Sequence, residues 1–177
     1  MRKAQTPEEV ASVLREFGAR CIAIDGKDGC GKSTLATELG TKLDVKVFHL
    51  DDFVTPNLDA YIANLDTVKL AEALAFFEVY IVEGVCVLQA LEVLSLEPDA
   101  LVYVKVMNNG FWSDEDELAP TTPVDKHLAD YRTMIEPMAA YLGESGKLSV
   151  LTEEVIRYHA AYRPAERASI VYLRANA

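Results

Sequence analysis

One octapeptide constrains this chain more than anything else in it: Gly26-Lys27-Asp28-Gly29-Cys30-Gly31-Lys32-Ser33, followed by Thr34. It fits the spacing G-x-x-x-x-G-K-[S/T] at every fixed position. Each fixed residue answers a physical demand. Gly26, Gly29 and Gly31 allow backbone angles that a side chain forbids, so main-chain amides can close on phosphate oxygens. The residues from Lys32 to about Leu43 favour helix, and a helix starting at the loop aims the positive end of its dipole at those phosphates. Lys32 suits the β- and γ-phosphates, and the Ser33 hydroxyl suits Mg²⁺. Just upstream, Cys21-Ile22-Ala23-Ile24 is an apolar run ending in Asp25, the signature of a buried strand. Strand, glycine loop and helix in that order assign residues 26–34 to the phosphates of ATP. Asp28 and Cys30 are spacers within the loop, and Asp25 stabilises the turn.

Strands and helices alternate along the rest of the chain. Thr6-Pro7-Glu8-Glu9 opens a helix that carries Val10, Val13, Leu14 and Phe17 on one face and stops at Gly18. Apolar strand patterns cover residues 45–50, 79–82, 101–106 and 169–173. Residues 57–77 are helix-rich, with a break at 64–66. Further helices run over 85–96 (ended by Pro98), from 122 onward with a kink or split at Pro137, and over 152–163. Residues 108–122 read as a long irregular loop holding Asp114-Glu115-Asp116-Glu117, a run expected to stay solvated. Phe76 and Phe77 are assigned to the core. Trp112 is a pocket residue or a packing anchor. The alternation indicates an α/β domain with a largely parallel, five-stranded sheet. Residues 1–177 are expected to form a single domain, with a lid or irregular region at 107–123.

Composition narrows the partners. The formal net charge of −11 over 177 residues opposes general nucleic-acid binding. Three scattered cysteines, Cys21, Cys30 and Cys86, form neither a disulfide framework nor a zinc site. No apolar run reaches membrane-spanning length and the N-terminus has no signal-peptide core, so a cytoplasmic protein is expected.

A parallel sheet presents its site beyond the C-terminal ends of its strands. Asp51-Asp52-Phe53 and Glu83 fall at such ends. Phosphoryl transfer to a hydroxyl needs a proton acceptor and charge stabilisation around Mg²⁺. Asp51 and Asp52 are candidates for the base and a metal-water ligand, and Glu83 for holding Mg²⁺ with Ser33. Asp52 and Phe53 are placed against the acceptor. Arg132 and Arg157, with Arg163 and Arg167 beside them, are candidate cations for ATP. His49 carries no assigned chemistry; Tyr61 is one of several aromatics able to stack on a flat acceptor.

The segments Ile22-Ala23-Ile24-Asp25-Gly26, Leu50-Asp51-Asp52-Phe53 and Ile81-Val82-Glu83-Gly84-Val85, in order over residues 20–90, resemble the uridine kinase and phosphoribulokinase group of P-loop kinases. The resemblance implies the three-layer α/β/α sandwich of P-loop NTPases, with the loop's strand between those ending at Glu83 and near residue 106. It implies that Asp51 takes the proton of the acceptor hydroxyl, that Lys32 holds phosphates and that Ser33 and Glu83 organise Mg²⁺. Tyr158, Tyr162, Pro164 and the last strand resemble the end of some bacterial uridine-kinase-like proteins. The insertion that shapes the nucleoside pocket in uridine kinases has no counterpart here. Where the group has an arginine-rich lid, this chain reads Met107-Asn108-Asn109-Gly110-Phe111-Trp112-Ser113. The expected activity is therefore transfer of the γ-phosphoryl group of ATP, with Mg²⁺, to a hydroxyl of a small nucleoside-like or sugar-like acceptor. The alternatives are an ATP-binding regulatory module with little or no transfer, and a kinase acting on a macromolecular hydroxyl.

Overall fold

The structure, a computed structural model, describes residues 1–55, 60–142 and 148–175. Its elements in chain order are β1 (Arg2–Ala4), α1 (Pro7–Phe17), β2 (Cys21–Asp25), α2 (Lys32–Leu43), β3 (Lys46–His49), 3₁₀ turns at Leu50–Phe53 and Ile62–Asn64, α3 (Thr67–Leu74), β4 (Tyr80–Glu83), α4 (Val87–Val93), β5 (Ala100–Asn108), β6 (Phe111–Trp112), α5 (Glu115–Leu118), α6 (Val124–Leu142), α7 (Val150–Tyr162), α8 (Pro164–Arg167) and β7 (Ile170–Ala175).

The strands order as β1-β7-β5-β2-β4-β3, all parallel, with β6 antiparallel on β5. The strand feeding the glycine loop, β2, lies between β4 and β5, as the resemblance implies. Side chains alternate across each strand. Ile22 and Ile24 pack with Val10 and Leu14 of α1 and with Leu35 and Leu39 of α2. Cys21 and Ala23 face the other way, toward Leu70 of α3, Leu91 of α4, Leu128 of α6 and Ile156 of α7. Helices thus cover both faces, giving the α/β/α sandwich. Each fully buried Leu or Ile contributes roughly 1.5–3 kcal/mol, so the two layers fix the strand ends on which the site depends.

The sheet has seven strands rather than five. β1 escapes sequence reading because Arg2-Lys3-Ala4 is short and polar; it is an edge strand held by main-chain bonds such as Arg2 N–H to the Ser169 carbonyl at 2.8 Å. β6 exists because Asn109 and Gly110, at φ 49° and 85°, turn β5 back on itself. Asn-Gly is the strongest short hairpin signal. The expected irregular loop at 108–122 is therefore a hairpin followed by the short helix α5.

Capping residues set several boundaries. Thr6 accepts from the Glu9 amide at 3.2 Å and Gly18 closes α1 at φ 61°. Asp66 caps α3 and marks the expected break; residues 57–59 of the helix-rich stretch lie outside the described residues. The helix expected over 152–163 begins at Val150 because Ser149 caps it. α6 runs through Pro137 instead of splitting there. Phe76 and Phe77 are exposed rather than core, because they follow the end of α3 in the turn before β4. Among the described residues no helix is long and apolar enough to cross a membrane.

Candidate active site

β2 delivers the chain to the loop through Asp25, which is fully buried. One of its carboxylate oxygens accepts the Gly26 amide at 2.7 Å, and the other accepts the Tyr158 hydroxyl of α7. Burial pushes the Asp25 carboxyl up to about 7, against the lowering effect of those two hydrogen bonds. Gly26, at φ 148°, lies so close to the Val104 carbonyl that a Cβ would stand 2.9 Å from its oxygen. Only glycine lets the loop leave the sheet here.

Gly31 begins α2 with no side chain capping it, whereas Thr6 caps α1 and Ser149 caps α7. An uncapped helix start next to a buried ammonium fits a phosphate group. That ammonium is Lys32, only 6% exposed, whose Nζ donates to the Lys27 carbonyl across the loop at 2.7 Å. Ser33 and Thr34 follow on the exposed side of α2, and Asp28 and Gly29 are exposed at the loop's crest. Cys30 is buried, and burial pushes its thiol pKa up.

Lys27 turns the other way. Its ammonium donates to Glu117 at 2.5 Å and Asp114 at 3.3 Å. Tyr131 donates to the same Glu117 carboxylate at 3.2 Å, and the His127 ring meets the Glu117 carbonyl at 3.0 Å. Burial pulls the Lys27 pKa down, but the two carboxylates outweigh it and leave it above the ordinary value. The acidic run at 114–117 is thus no solvated loop: two of its four carboxylates bind region 107–123 to the glycine loop.

The neighbouring strand ends supply the other half. In the β3–β4 register His49 lies opposite Glu83, and the His49 Nδ1 is 2.5 Å from a Glu83 carboxylate oxygen. Gly84 abuts Leu50 so closely that a Cβ would meet its side chain at 2.8 Å, which seats the turn carrying Asp51 on the end of β4. Asp51 and Asp52 are exposed. The Tyr61 hydroxyl donates to Asp51 at 2.6 Å, and burial followed by Asp51 itself pushes the phenol's pKa up. Glu154 of α7 holds the Tyr61 and Ile62 amides at 2.6 and 3.0 Å. Phe53 is half-buried under the Lys69 ammonium, 5.2 Å from its ring centre. Among the described residues no group of three or more His, Cys, Asp or Glu forms a metal cluster.

The partners of Arg132 and Arg157 are carboxylates of α6 and α7, not loop atoms. Arg132 pairs with Glu153, and Arg157 with Glu153 and with Asp125 at 2.8 Å. Arg163 faces Glu166 at 3.6 Å in solvent. The arginine that does reach the loop is Arg174, at the C-terminal end of β7, whose guanidinium donates to the Cys30 carbonyl at 3.0 Å and lies against Gly31. Arg174 carries no local sequence signal, although a cation at the end of a parallel strand is placed like Asp51 and Glu83. Nothing local marks Glu154 either, or gives His49 and Tyr158 a role at the site. Only the three-dimensional register brings these to Glu83, Asp25 and the Tyr61 turn. Trp112 is a packing anchor, buried edge-on against Tyr103.

Solved structures share this architecture. A possible uridine kinase from Bacillus stearothermophilus superposes with a TM-score of 0.53 at 17% identity, covering 94% of this chain and 96% of that one. Shikimate kinase from Bacteroides thetaiotaomicron (TM-score 0.41, 16% identity, 88% and 86% covered) and an uncharacterized protein from Eubacterium ventriosum ATCC 27560 (0.41, 12%, 88% and 89%) also match. No family model and no curated protein matches the sequence. Glycine loop, strand order and superposition agree on one statement: this chain has the α/β/α fold of the P-loop kinases.

Proposed function

We propose that this protein is an ATP-dependent phosphotransferase that moves the γ-phosphoryl group to a hydroxyl of a small nucleoside-like or sugar-like acceptor. One observation carries the reading: a buried lysine at an uncapped helix start follows β2, and the next strands of the sheet, β4 and β3, bring two carboxylates to the same edge, Glu83 at the end of β4 and Asp51 in the turn after β3. Mg²⁺-ATP supplies the transferable group and the metal's charge. Lys32 exchanges the Lys27 carbonyl for a phosphate oxygen, while the amides of residues 26–34 close around the phosphates. Ser33 and Glu83 would hold the metal, with His49 fixing the Glu83 carboxylate. Asp51, oriented by Tyr61, receives the proton of the acceptor hydroxyl, and Asp52 and Phe53 line the acceptor's approach. Arg174 rather than Arg132 or Arg157 supplies the cation beside the loop. Residues 1–177 act as one unit, and region 107–123 covers the loop through Lys27.

Purified protein with Mg²⁺-ATP and a panel of nucleosides, sugars and other small alcohols tests this. Asp51→Asn is expected to keep ATP affinity and lose turnover by about 10²–10⁴-fold; undiminished turnover removes Asp51 from the base role. Normal ATP binding with no phosphorylated product from any acceptor sinks the kinase reading. It would favour an ATP-responsive regulatory module, for which the pairing of Asp114 and Glu117 with Lys27 at the loop is the supporting observation. That module should differ in shape or partner affinity between ATP and ADP.

A further inference from the structure

A cavity of about 1020 Å³ opens behind the β6–α5 region, and none of its lining residues belongs to the glycine loop, to the Asp51 turn or to Glu83. Lys105 and Met107 of β5, Leu173 of β7, Phe111 and Trp112 of β6 and Leu118 of α5 line it, with Trp112 beside Met107 in the β5–β6 ladder. The volume is that of a small-molecule site. α5 separates the two sites: Glu115 and Leu118 line the cavity, while Glu117 grips Lys27 of the loop.

Lys105 is the anomaly. A parallel strand covered on both faces reads as a continuous apolar run, and Leu101 to Val104 obey that rule, all buried. Lys105 interrupts it, half-buried, with its ammonium 3.8 Å from the centre of the Trp112 ring. Among the described residues no carboxylate pairs with it: Glu115 acts only through space, and Lys3 opposes it. Burial, the largest influence, pulls its pKa down. Placing an ammonium in a cavity wall without a counter-ion is costly; the Trp112 ring face offsets part of that cost, and an anion would offset more. Lys3 and Arg163 add positive charge to the rim. Arg163 is held only by a solvent-exposed pair with Glu166 at 3.6 Å, which is worth little and is readily exchanged. Glu115 and Glu166 also line the cavity, balancing part of that charge, and Met107, Phe111, Leu118 and Leu173 supply apolar surface. His159 contributes no free donor, because its two ring nitrogens are engaged by Tyr103 and by the Val155 carbonyl.

We propose that this cavity is a binding site, separate from the nucleotide loop, for a small aromatic monoanion: its carboxylate or sulfonate on Lys105, its flat apolar body against the apolar lining supplied by Met107, Leu118 and Leu173. Trp112 is the sole tryptophan of the chain, so its emission reports occupancy directly. The probe is 1-anilinonaphthalene-8-sulfonate, titrated into the wild-type protein with and without saturating Mg²⁺-ATP. The expected result is saturable quenching of Trp112 with energy transfer to the probe, not displaced by ATP. The uncharged analogue N-phenyl-1-naphthylamine should bind about tenfold more weakly or worse; this arm needs no variant. Lys105→Met, checked for an unchanged thermal melt, should weaken the sulfonate probe by about tenfold, and Lys105→Arg should restore it. Equal affinity for the charged and uncharged probes overturns the proposal. So does displacement by ATP, or a Lys105→Met protein that melts normally and binds the sulfonate as wild type does.

Discussion

The two halves of the candidate site hold their polar groups in opposite ways. The phosphate half is built from main chain: glycine conformations, an uncapped helix start, and two cations, Lys32 and Arg174, that rest on loop carbonyls. All of it but Arg174 comes from one stretch of sequence. The half proposed for the acceptor is built from side chains of separate segments, and two of its carboxylates are each tied to a ring, Glu83 to His49 and Asp51 to Tyr61, while Asp52 is exposed. Main-chain groups cannot be exchanged one at a time, so the phosphate half is fixed by its backbone. Side-chain pairs can be exchanged singly, so on the proposed function the acceptor half is where one fold can change its substrate. Asp25 lies at the seam, accepting a loop amide with one oxygen and a tyrosine with the other.

The difference should be sharpest in binding. Lys32→Met removes the charge that the glycine loop encloses, and is expected to cost about 10²–10³-fold in ATP affinity and turnover together. Asp51→Asn should lose turnover alone. Isothermal titration with an ATP analogue beside steady-state assays separates the two. If both variants lost ATP affinity equally, the halves would not be independent.

At the seam, the effect should appear as pH dependence. Asp25 rises from an ordinary 3.8 to about 7 on burial, so across that interval the folded chain keeps a proton that the unfolded chain has lost. Its contribution is fully present below the interval and falls as pH rises through it. Buried His159 moves the opposite way, from 6.5 to about 4, so its contribution is lost as pH falls. In the wild type the two slopes oppose each other over most of the same range. Asp25→Asn removes one of them, and the variant should gain on the wild type by on the order of 4 kcal/mol between pH 4 and pH 7. Urea midpoints at several pH values check it; parallel curves for the two proteins would show that Asp25 carries no such proton.

Lys27 ties the phosphate half to α5, and breaking that tie should cost stability rather than chemistry. Lys27→Met strands Glu117, whose side chain is 11% exposed, and the expected loss is about 1–3 kcal/mol in chemical denaturation. Adding Glu117→Gln should recover part of it, because the stranded charge is then gone. A double variant no better than the single one would mean that the pair contributes nothing beyond packing.

The same division explains what the sequence made legible. The glycine loop could be read outright because spacing, upstream strand and downstream helix are all local. The order of β2, β4 and β5 followed from the resemblance, and the ends of α1 from Thr6, Pro7 and Gly18. Hidden features depended on distance along the chain. Glu154 and the Tyr61 turn are more than ninety residues apart; Tyr158 and Asp25 are further still. The acidic run at 114–117 looked solvated because its partner, Lys27, lies a long way upstream. β6 was the avoidable miss, since Asn109-Gly110 announced it locally.

Tyr61 gives the smallest effect and the finest probe of how the acceptor half works. Its hydroxyl donates to Asp51 at 2.6 Å, and the turn that carries it is held independently, by Glu154 through main-chain amides. Tyr61→Phe therefore deletes one hydrogen bond without releasing the turn. One hydrogen bond to a carboxylate is worth about 1.5–3 kcal/mol, and partial exposure of the pair lowers that, so kcat should fall about tenfold with ATP affinity unchanged. Steady-state kinetics in both substrates reads this. A loss confined to kcat means that Tyr61 aims Asp51 at the acceptor. A rise in acceptor KM alone means that the hydroxyl binds the acceptor and gives up Asp51 when it arrives. If neither constant moved, the ring–carboxylate pair would be a property of the resting protein only, and the contrast between the two halves would then rest on Glu83 and His49.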